Sequence, residues 1–434
     1  MKAVIDPAPL GGTVRVPSSK SRGHRSLICA ALAEGTSVIS RISPSDDLEA
    51  TAESLRQLGA SIKTGKEGDG LMRAVVRGGL CRTQPAVINC RESGSTLRLL
   101  IPLGLLQKEP VTWTGTGRLP ERPLAPYGDL FKKKGIQWET ETGGLPLTAA
   151  GRLLPGEYSL PGGVSSQFIS GLLLALPLLQ GQSRITVTSP PESAAYIAMT
   201  LETMDGCGVC AEPEGDRAWM IPGGQAYRPF RTELEGDWSQ GAFWMAAGLL
   251  GQPVSCRGLS VSSVQADRAV TDIIRRMGGH IEETEEGVSA FPSHLRGTVI
   301  DGSQCPDIIP VLTVLGALAE GTTQIIRAGR LRLKECDRLH AMTEELKALG
   351  ASVKETEDGM VIQGRPFLNG GQGKSWGDHR VAMSLAVASV KRRRPLVLAG
   401  AGSVSKSYPR FWEDLSKLGG ILHEQGMPCA ESGD

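Results

Sequence analysis

Cationic side chains gather at one predicted helix start near the beginning of the chain. A β-branched strand end is stopped by Pro17, two serines follow as helix-start signals, and Lys20, Arg22 and Arg25 open the helix pattern. The N-terminus of a helix already carries positive potential, so cations there are stabilised when a multivalent anion binds beside them. The alternative is a solvated helix start with its arginines in water. For this stretch alone both interpretations stay open, and the anion site becomes persuasive only together with the rest of the chain.

Seven further polar clusters lie between the regular elements, where functional residues usually occur. They combine cations with hydroxyls and acids, the groups that bind phosphate or carboxylate and transfer protons. Each cluster alone can also be explained without a functional role. Gly-Ser-Thr is a common helix start, and Lys-Glu-Cys-Asp-Arg is compatible with an ion-paired surface turn. The clusters are Glu92-Ser-Gly-Ser-Thr-Leu-Arg98, Glu121-Arg-Pro123, Val164-Ser-Ser-Gln-Phe168, Pro306-Asp307, Leu333-Lys-Glu-Cys-Asp-Arg338, Gly377-Asp-His-Arg380 and Ser405-Lys-Ser407.

The composition excludes several other classes of protein. The chain has 434 residues, enough for two or three domains, and its net charge of +1 argues against a surface that coats nucleic acid. The start lacks the apolar run of a signal peptide, and the longest apolar stretch, Gly171 to Leu179, is too short to span a bilayer. The one charge run, Lys391-Arg-Arg-Arg-Pro395, is interpreted as a solvated turn. We expect a cytoplasmic protein that binds neither nucleic acid nor membrane.

The nine cysteines are scattered, in an odd number that suits reduced thiols better than a disulfide framework. Cys207 and Cys210 form a Cys-x-x-Cys pair, but no second pair and no nearby histidine in the sequence completes a zinc site. A Gly-x-x-x-x-Gly-Lys nucleotide loop is also absent from the sequence. The sequence therefore predicts neither a metal nor a cofactor.

A repeated phrase indicates the elements that position these clusters. An amphipathic helix ending in glycine, followed by a strand, recurs six times at intervals of about 70 residues, and the glycine suits a left-handed helix C-cap. This period exceeds the roughly 20 to 50 residues of solenoid repeats. We expect six units of helix, strand, helix and two strands, grouped in threes into two α/β domains. The six glycines are Gly59, Gly135, Gly208, Gly278, Gly350 and Gly419.

In their order and separations, the polar clusters closely resemble those of the 5-enolpyruvylshikimate-3-phosphate (EPSP) synthase family, over essentially the whole chain. The resemblance implies an α/β protein with two inside-out α/β barrel domains, each of three βαβαββ repeats, the enolpyruvyl transferase fold. It also sends the N-terminal strand to the domain made mainly by the C-terminal half. The expected domains are residues 18–236, which bind shikimate 3-phosphate, and residues 1–17 with 237–434, with the active site in the cleft between them.

The resemblance further implies a reaction in aromatic amino acid (chorismate) biosynthesis. The enolpyruvyl group of phosphoenolpyruvate is transferred to the 5-hydroxyl of shikimate 3-phosphate, and phosphate is released. Both substrates carry a phosphate and a carboxylate, and two like charges about 4 Å apart repel by roughly 4 kcal/mol at an effective dielectric near 20, so cations must surround them. The matching motifs assign Ser21, Arg25, Ser165, Ser166, Gln167, Ser193, Tyr196, Asp307 and Lys334 to shikimate 3-phosphate, and Lys20, Arg122, Arg338, Arg380 and Lys406 to phosphoenolpyruvate, with Gly94 as a further substrate-binding residue.

The mechanism implied by the family is addition followed by elimination through a tetrahedral intermediate. We expect Glu335 to protonate the methylene carbon of phosphoenolpyruvate and later to take a proton back from the methyl group. Asp307 is the candidate to accept the hydroxyl proton, and Lys20 is the candidate to assist the departing phosphate. His379 is a candidate for orienting the catalytic groups. The alternative is that His379 has a purely structural role.

Three positions depart from the family pattern. Glu92 stands where the family usually has asparagine, Leu99 where it often has proline, and Arg330 where an asparagine is expected next to shikimate 3-phosphate. Contacts at these positions, and the response to glyphosate, which competes at the phosphoenolpyruvate site, are therefore not carried over.

Two rival functions are compatible with parts of the same motif set. The sister enzyme that acts on UDP-N-acetylglucosamine normally has a cysteine in the loop before the Arg-Pro, and none occurs between Cys90 and Cys207. A non-catalytic anion-binding relative would tolerate loss of Glu335, which is present. We expect an enzyme that is a monomer and needs no cofactor.

Overall fold

The computed structural model describes residues 1–80, 84–107, 109–141 and 143–425, so Cys81 and Cys429 lie outside the described residues. The chain forms two compact units. The first unit comprises Pro17–Glu235 with Val264–Ala266, and the second unit comprises Met1–Val16, Gly236–Ser263 and the chain from Asp267 onward. The crossovers expected near Pro17 and Gly236 lie beside these boundaries.

Fourteen strands and six α-helices precede Gly236 in the described part of the chain. The strands are β1 (Lys2–Ile5), β2 (Gly12–Arg15), β3 (Thr36–Ile42), β4 (Ser61–Lys66), β5 (Met72–Arg77), β6 (Ala86–Asn89), β7 (Val111–Thr114), β8 (Gln137–Thr140), β9 (Leu147–Ala150), β10 (Glu157–Leu160), β11 (Ser183–Val187), β12 (Glu212–Pro213), β13 (Ala218–Ile221) and β14 (Arg231–Glu233). The helices are α1 (Lys20–Leu32), α2 (Asp46–Gln57), α3 (Gly94–Gly104), α4 (Ala125–Lys133), α5 (Ser166–Ala175) and α6 (Ala194–Asp205).

Ten strands and six α-helices follow, up to the last described residue. The strands are β15 (Val254–Arg257), β16 (His280–Thr284), β17 (Gly287–Phe291), β18 (Val299–Asp301), β19 (Thr322–Ile326), β20 (Ser352–Glu355), β21 (Met360–Gln363), β22 (Gly371–Lys374), β23 (Leu396–Ala399) and β24 (Leu422–Gln425). The helices are α7 (Trp238–Leu250), α8 (Val270–Arg276), α9 (Ile309–Leu318), α10 (Arg338–Ala348), α11 (His379–Val387) and α12 (Phe411–Lys417).

The strands form six four-stranded sheets with one shared pattern. In the second repeat β6 pairs parallel with β7, and β9 pairs antiparallel with both β7 and β8. Strand, helix, strand, helix and two strands follow one another, which is the predicted βαβαββ repeat. Three strands pair with strands that are far away in the sequence. Strand β14 pairs with β3, β2 pairs with β15, and β1 lies between β23 and β24.

Some helices lie in the interior of each unit, whereas others, such as α6, keep an exposed face. Helices α5, α7 and α9 are apolar on nearly all sides and buried along their length. Strands such as β5 and β10 instead alternate between exposed and buried residues, so each sheet covers the helices with one face. This arrangement confirms the predicted fold class. Among the described residues, no helix is long and apolar enough to cross a membrane.

The six glycines of the repeated phrase all have positive φ, between 73° and 109°. Each follows the last turn of a helix, where a left-handed residue lets the chain leave the helix and enter the next strand. The prediction of six glycine C-caps is confirmed.

The charge run before β23 is not fully solvated. Arg393 and Arg394 are exposed, but Arg392 is 5% exposed and its Nη2 donates to the carbonyl oxygen of Ile5 at 3.3 Å. Burial lowers the pKa of Arg392 to about 9. The prediction of a solvated turn was wrong at this residue, because β1, from the far end of the sequence, pairs beside it.

Candidate active site

Predicted substrate-binding residues of the first unit lie at the N-terminal turns of four helices. Backbone N–H groups at such turns lack partners within the helix, and the helix dipole adds positive potential, so each turn favours an anion. Lys20 and Ser21 begin α1, Gly94 begins α3, Ser165 caps α5 and is followed by Ser166 and Gln167, and Ser193 occupies the N-cap position of α6 with Tyr196 in its first turn.

Arg25 joins α1 to α6. It is 3% exposed, its Nε donates to Thr200 Oγ1 at 2.8 Å, and its Nη2 donates to the carbonyl oxygen of Tyr196 at 2.9 Å. Its Nη1 donates to the carbonyl oxygen of Ser21 at 2.9 Å. Burial lowers the pKa of Arg25 to about 10, which leaves the guanidinium charged at neutral pH. A fixed cation therefore lies beside the starts of both helices.

Gln167 joins α5 to α3. Its Oε1 accepts from Arg98 Nη1 at 3.0 Å, and its Nε2 donates to Ser95 Oγ at 2.8 Å. Ser165 caps α5, because its Oγ accepts from the backbone N–H of Gln167 at 3.3 Å. The Ser-Ser-Gln motif is thereby fixed against the helix that Gly94 begins.

The guanidinium of Arg122 lies against Gly94. A Cβ added to Gly94 would come within 2.7 Å of Arg122 Nη1, closer than side chains tolerate. Arg122 is 8% exposed and follows a short 3₁₀ turn, Leu119–Glu121. A side chain at this position would displace the guanidinium, so glycine permits the close approach of the cation.

Lys20 is fixed by an ion pair, and Ser193 has an uncommon backbone conformation. Lys20 Nζ donates to Asp47 Oδ2 at 2.6 Å, with 15% and 12% of the two side chains exposed. Ser193 has φ 55°, in the left-handed region, and its side chain does not cap α6. Left-handed serine is uncommon and stores strain, which is frequent at binding sites.

In the second unit, the carboxylate of Asp307 forms ion pairs with three cationic side chains. Its Oδ1 accepts from Arg338 Nη1 at 3.0 Å and from Lys334 Nζ at 3.3 Å, and its Oδ2 accepts from Arg380 Nη2 at 3.0 Å. Arg380 Nη1 also donates to the backbone carbonyl of Asp307 at 2.9 Å. Four residues predicted from three separate motifs thus meet at one carboxylate.

Arg338 connects Glu335 to a buried acid. Its Nη2 donates to Glu335 Oε2 at 2.7 Å, and its Nε donates to Asp378 Oδ2 at 2.7 Å. Burial opposes the charge of Arg338, but Asp378, Glu335 and Asp307 outweigh it and raise its pKa above the usual range. The guanidinium therefore stays charged and fixes the position of the Glu335 carboxylate.

Lys334 is the cation of this cluster that titrates most easily. Burial, assisted by the positive charges of Arg338 and Arg330, lowers the pKa of Lys334 to about 8, while Asp307 opposes the shift. Arg330, which departs from the family pattern, thus acts on the charge of Lys334.

The Gly-Asp-His-Arg motif forms the start of α11. Asp378 Oδ1 accepts from the backbone N–H of Arg380 at 2.7 Å, and His379 begins the helix and is 1% exposed. Lys406 Nζ donates to the carbonyl oxygen of Gly377 at 2.6 Å. The motif therefore places His379, Arg380 and Lys406 around one helix start.

Sequence reasoning missed three residues that hold the predicted ones: Asp47, Thr200 and Asp378. Asp378 belongs to the Gly377-Asp-His-Arg380 motif, and an aspartate before an apolar helix pattern is an N-cap signal. Of the family departures, the Glu92 carboxylate lies against Gly117, and Leu99 is buried in α3.

Comparison with known proteins identifies the chain's relatives. The family model of EPSP synthase (3-phosphoshikimate 1-carboxyvinyltransferase) matches residues 4–415. The 3-phosphoshikimate 1-carboxyvinyltransferase of Clostridium kluyveri is 47% identical over 420 residues, covering 97% of this chain and 98% of that protein. That of Clostridium acetobutylicum is 44% identical over 424 residues, covering 98% of each.

Solved structures agree with these matches. The 2.37 Å structure of EPSP synthase from Acinetobacter baumannii has a TM-score of 0.81 at 27% identity, covering 98% of this chain and 100% of that one. The enolpyruvyl transferase NikO from Streptomyces tendae has a TM-score of 0.79 at 20% identity, covering 98% and 99%, and shows the shared fold alone. Because the family model matches residues 4–415 and relatives above 40% identity cover 97–98% of the sequence, this chain belongs to the EPSP synthase (3-phosphoshikimate 1-carboxyvinyltransferase) family.

Proposed function

We propose that the chain transfers the enolpyruvyl group of phosphoenolpyruvate to the 5-hydroxyl of shikimate 3-phosphate, giving 5-enolpyruvylshikimate 3-phosphate and phosphate. The observation that carries the proposal is the cluster in which Asp307, Glu335 and three cations meet, on a chain of this family. Two carboxylates beside cationic side chains support the proposal of an acid–base pair among groups that bind phosphate and carboxylate. The relatives' names do not favour UDP-N-acetylglucosamine as the acceptor.

Shikimate 3-phosphate is bound by the helix starts of the first unit and by two residues of the second. Arg25 supplies a fixed guanidinium, and the positive potential at the N-terminal turns of α1, α5 and α6 favours the 3-phosphate and the carboxylate. The full set is Ser21, Arg25, Ser165, Ser166, Gln167, Ser193, Tyr196, Asp307 and Lys334.

Phosphoenolpyruvate is bound by cations that the structure holds in fixed positions. Arg338 and Arg380 present guanidinium groups, which match carboxylate and phosphate in a two-pronged geometry. Lys20 and Arg122 of the first unit and Lys406 of the second complete the set, with Gly94 allowing Arg122 its position.

Two carboxylates carry the proton transfers. In the addition step the 5-hydroxyl oxygen attacks carbon 2, Asp307 accepts the hydroxyl proton, and Glu335 donates a proton to the methylene carbon, which becomes a methyl group. In the elimination step Glu335 takes a methyl proton back, the bond from carbon 2 to the phosphate oxygen breaks, and Lys20 stabilises the departing phosphate. Arg338 holds the Glu335 carboxylate, and His379 orients the motif that carries Arg380.

Glu335→Gln tests the proposal. We expect phosphate release from phosphoenolpyruvate to require shikimate 3-phosphate, to be absent with UDP-N-acetylglucosamine, and to fall about 10²- to 10⁴-fold in the variant, since general acid–base catalysis contributes that much. Binding of shikimate 3-phosphate, measured by calorimetry, should persist. Glu344→Gln, which removes an exposed carboxylate of α10, is the matched control. Near-normal turnover of Glu335→Gln would refute the assignment.

The proposal also covers the role of the first unit, the oligomeric state and the cellular location. The first unit is the shikimate 3-phosphate-binding domain, and the protein acts as a monomer in the cytoplasm. Sedimentation of the purified protein and fractionation of the cells that make it test these two statements.

A further inference from the structure

A chain of buried hydrogen bonds joins three helix starts in the first unit. His24 Nδ1 lies 2.7 Å from Thr51 Oγ1, and Thr51 Oγ1 lies 2.6 Å from Thr96 Oγ1. Thr96 Oγ1 donates to Ser93 Oγ at 2.8 Å, and the backbone N–H of Thr96 donates to the same oxygen at 3.2 Å. All four residues are at most 1% exposed. The hydrogen bonds therefore cross from α1 through α2 to the N-cap of α3.

This network lies one helical turn inside residues of the candidate site. His24 follows Lys20 by four residues in α1, and Thr51 follows Asp47 by four residues in α2. Residues four apart lie on the same face of a helix, one turn above the other. The ion pair of Lys20 with Asp47 and the contact of His24 with Thr51 are thus two successive contacts between the same pair of helices.

The hydroxyl groups determine which nitrogen of His24 carries a proton. Thr96 has one hydroxyl proton, which goes to Ser93 Oγ or to the carbonyl oxygen of Asp47 at 3.4 Å. The contact between the two threonines therefore takes its proton from Thr51. The Thr51 oxygen is then left to accept from His24, so the proton of the ring lies on Nδ1.

The surroundings of the His24 ring favour its neutral form. Burial, followed by the positive charges of Lys20 and Arg25, lowers the pKa of His24 well below its ordinary value. In the described part of the chain, the buried Nε2 has no hydrogen-bond partner. An imidazolium would place a charge and an unpaired N–H donor there, and both are costly in the interior. A neutral ring with its proton on Nδ1 satisfies the contacts at lower cost.

We propose that His24 is a positioning residue, a neutral imidazole with its proton on Nδ1 that fixes the starts of α1, α2 and α3 relative to one another. It acts through other residues. The network keeps Lys20 against Asp47 and holds the cap of the helix that Gly94 begins, against which the Arg122 guanidinium packs. The consequence for phosphoenolpyruvate rests on the proposed function, which assigns Lys20 and Arg122 to that substrate.

The geometry separates the two substrates. Arg25, which is proposed to bind shikimate 3-phosphate, is held by Thr200 and by the carbonyl oxygen of Tyr196, both on α6 and outside the network. Loosening the network should therefore displace Lys20 and Arg122 more than Arg25. Because misplacement of a binding group by about 1 Å can cost 10²-fold, we expect KM for phosphoenolpyruvate to rise about fivefold or more, and that for shikimate 3-phosphate less than about twofold.

Nuclear magnetic resonance tests the position of the proton without reference to activity. The full-length protein is labelled with ¹⁵N-histidine, and correlations between the carbon-bound ring protons and the ring nitrogens are recorded at about pH 7. Of the six histidines, His24 is the one whose signals disappear in His24→Asn. We expect a protonated Nδ1 and an unprotonated Nε2. A proton on Nε2, or on both nitrogens, overturns the proposal.

Two pairs of variants test the positioning role. Thr51→Val removes the middle hydroxyl at nearly constant shape and should raise KM for phosphoenolpyruvate, whereas Thr51→Ser keeps a hydroxyl and should restore it. His24→Leu should raise the same KM, whereas His24→Asn keeps an N–H donor for Thr51 and should stay near the original value. Thr343→Val is the matched control and should change neither KM, because Thr343 is also 0% exposed and its hydroxyl has no hydrogen-bond partner among the described residues.

The two KM values separate a positioning role from a merely structural one. An unchanged KM for phosphoenolpyruvate in Thr51→Val, or equal rises for both substrates, overturns the positioning role. Should Thr51→Val not fold, the comparison of His24→Leu with His24→Asn decides by the same two constants. Lack of turnover in the protein without substitutions refutes the proposed function instead, and the spectrum still decides where the His24 proton lies.

Discussion

Asp378 holds Arg338 by a buried ion pair in which Oδ2 accepts from Nε at 2.7 Å, with 0% and 1% of the two side chains exposed. The second oxygen of Asp378 caps α11, the helix that presents His379 and Arg380. The carboxylate of Asp378 thus fixes the side chain of Arg338 and the backbone of Arg380. Both arginines are proposed to bind phosphoenolpyruvate.

Asp378→Asn should damage both stability and binding. Breaking a buried ion pair costs up to about 3–5 kcal/mol, and Arg338 would keep only Glu335 and Asp307 as partners. We expect the free energy of unfolding in urea to fall by that order and KM for phosphoenolpyruvate to rise at least tenfold. Asp337→Asn is the control, because Asp337 also caps a helix, α10, but is 32% exposed and pairs with the partly exposed Arg332. The control should change stability by less than about 1 kcal/mol. An unaltered KM in Asp378→Asn would remove the positioning role.

Gly94→Ala should affect phosphoenolpyruvate selectively. The new methyl group would lie 2.7 Å from Arg122 Nη1, so the guanidinium must move. Misplacement of a binding group by about 1 Å can cost 10²-fold, and we expect KM for phosphoenolpyruvate to rise at least tenfold with that for shikimate 3-phosphate nearly unchanged. Gly65→Ala, whose methyl group would meet no described atom within 4 Å, should leave both constants unchanged. Equal effects on the two substrates would contradict this account of Arg122.

Lys334→Arg should alter the dependence on pH. Because the pKa of Lys334 is lowered to about 8, the folded protein loses this ammonium as the pH rises through that value. We expect kcat/KM for shikimate 3-phosphate to fall about tenfold per pH unit above the break, since this ratio follows ionisation of the free enzyme. Arginine stays charged, so Lys334→Arg should shift the break upward, whereas Lys347→Arg, on the exposed face of α10, should not. An identical profile in Lys334→Arg would assign the break to another group.

The same shift predicts how stability varies with pH. The ordinary pKa of lysine, 10.5, is retained in the unfolded chain, and the folded value is lower. Below about pH 8 both states carry the proton and the cost of burying the charge is present in full. Between about pH 8 and 10.5 only the unfolded state stays protonated, so this contribution to stability rises with pH.

The repeat and the helix starts were predictable from the sequence because they depend on neighbouring residues. A glycine after an apolar helix pattern requires only local information, and the φ of 109° at Gly59 and 96° at Gly419 follow from it. The motif residues were predictable for a different reason, since the family resemblance covers the whole chain.

The partners of those residues were not predictable. Lys20 and Asp47 are 27 residues apart, and Arg338 and Asp378 are 40 apart. Their pairing depends on how helices pack within a unit, which no local pattern specifies. Burial of Arg392 against β1 escaped prediction for the same reason, because its partner lies 387 positions away.

The distant strand pairings set an order of completion during synthesis on the ribosome. Strand β14 pairs with β3, so the strands and α-helices of the first unit have all been made once Glu235 has been added, and only Val264–Ala266 is still to come. Strand β1 lies between β23 and β24, so it stays unpaired until almost the whole chain has emerged. Unpaired strands are prone to aggregation, and β1 is only four residues long, which limits the exposure. The first unit can therefore fold while translation continues, whereas the second unit can complete its sheets only after β23 and β24 have been made.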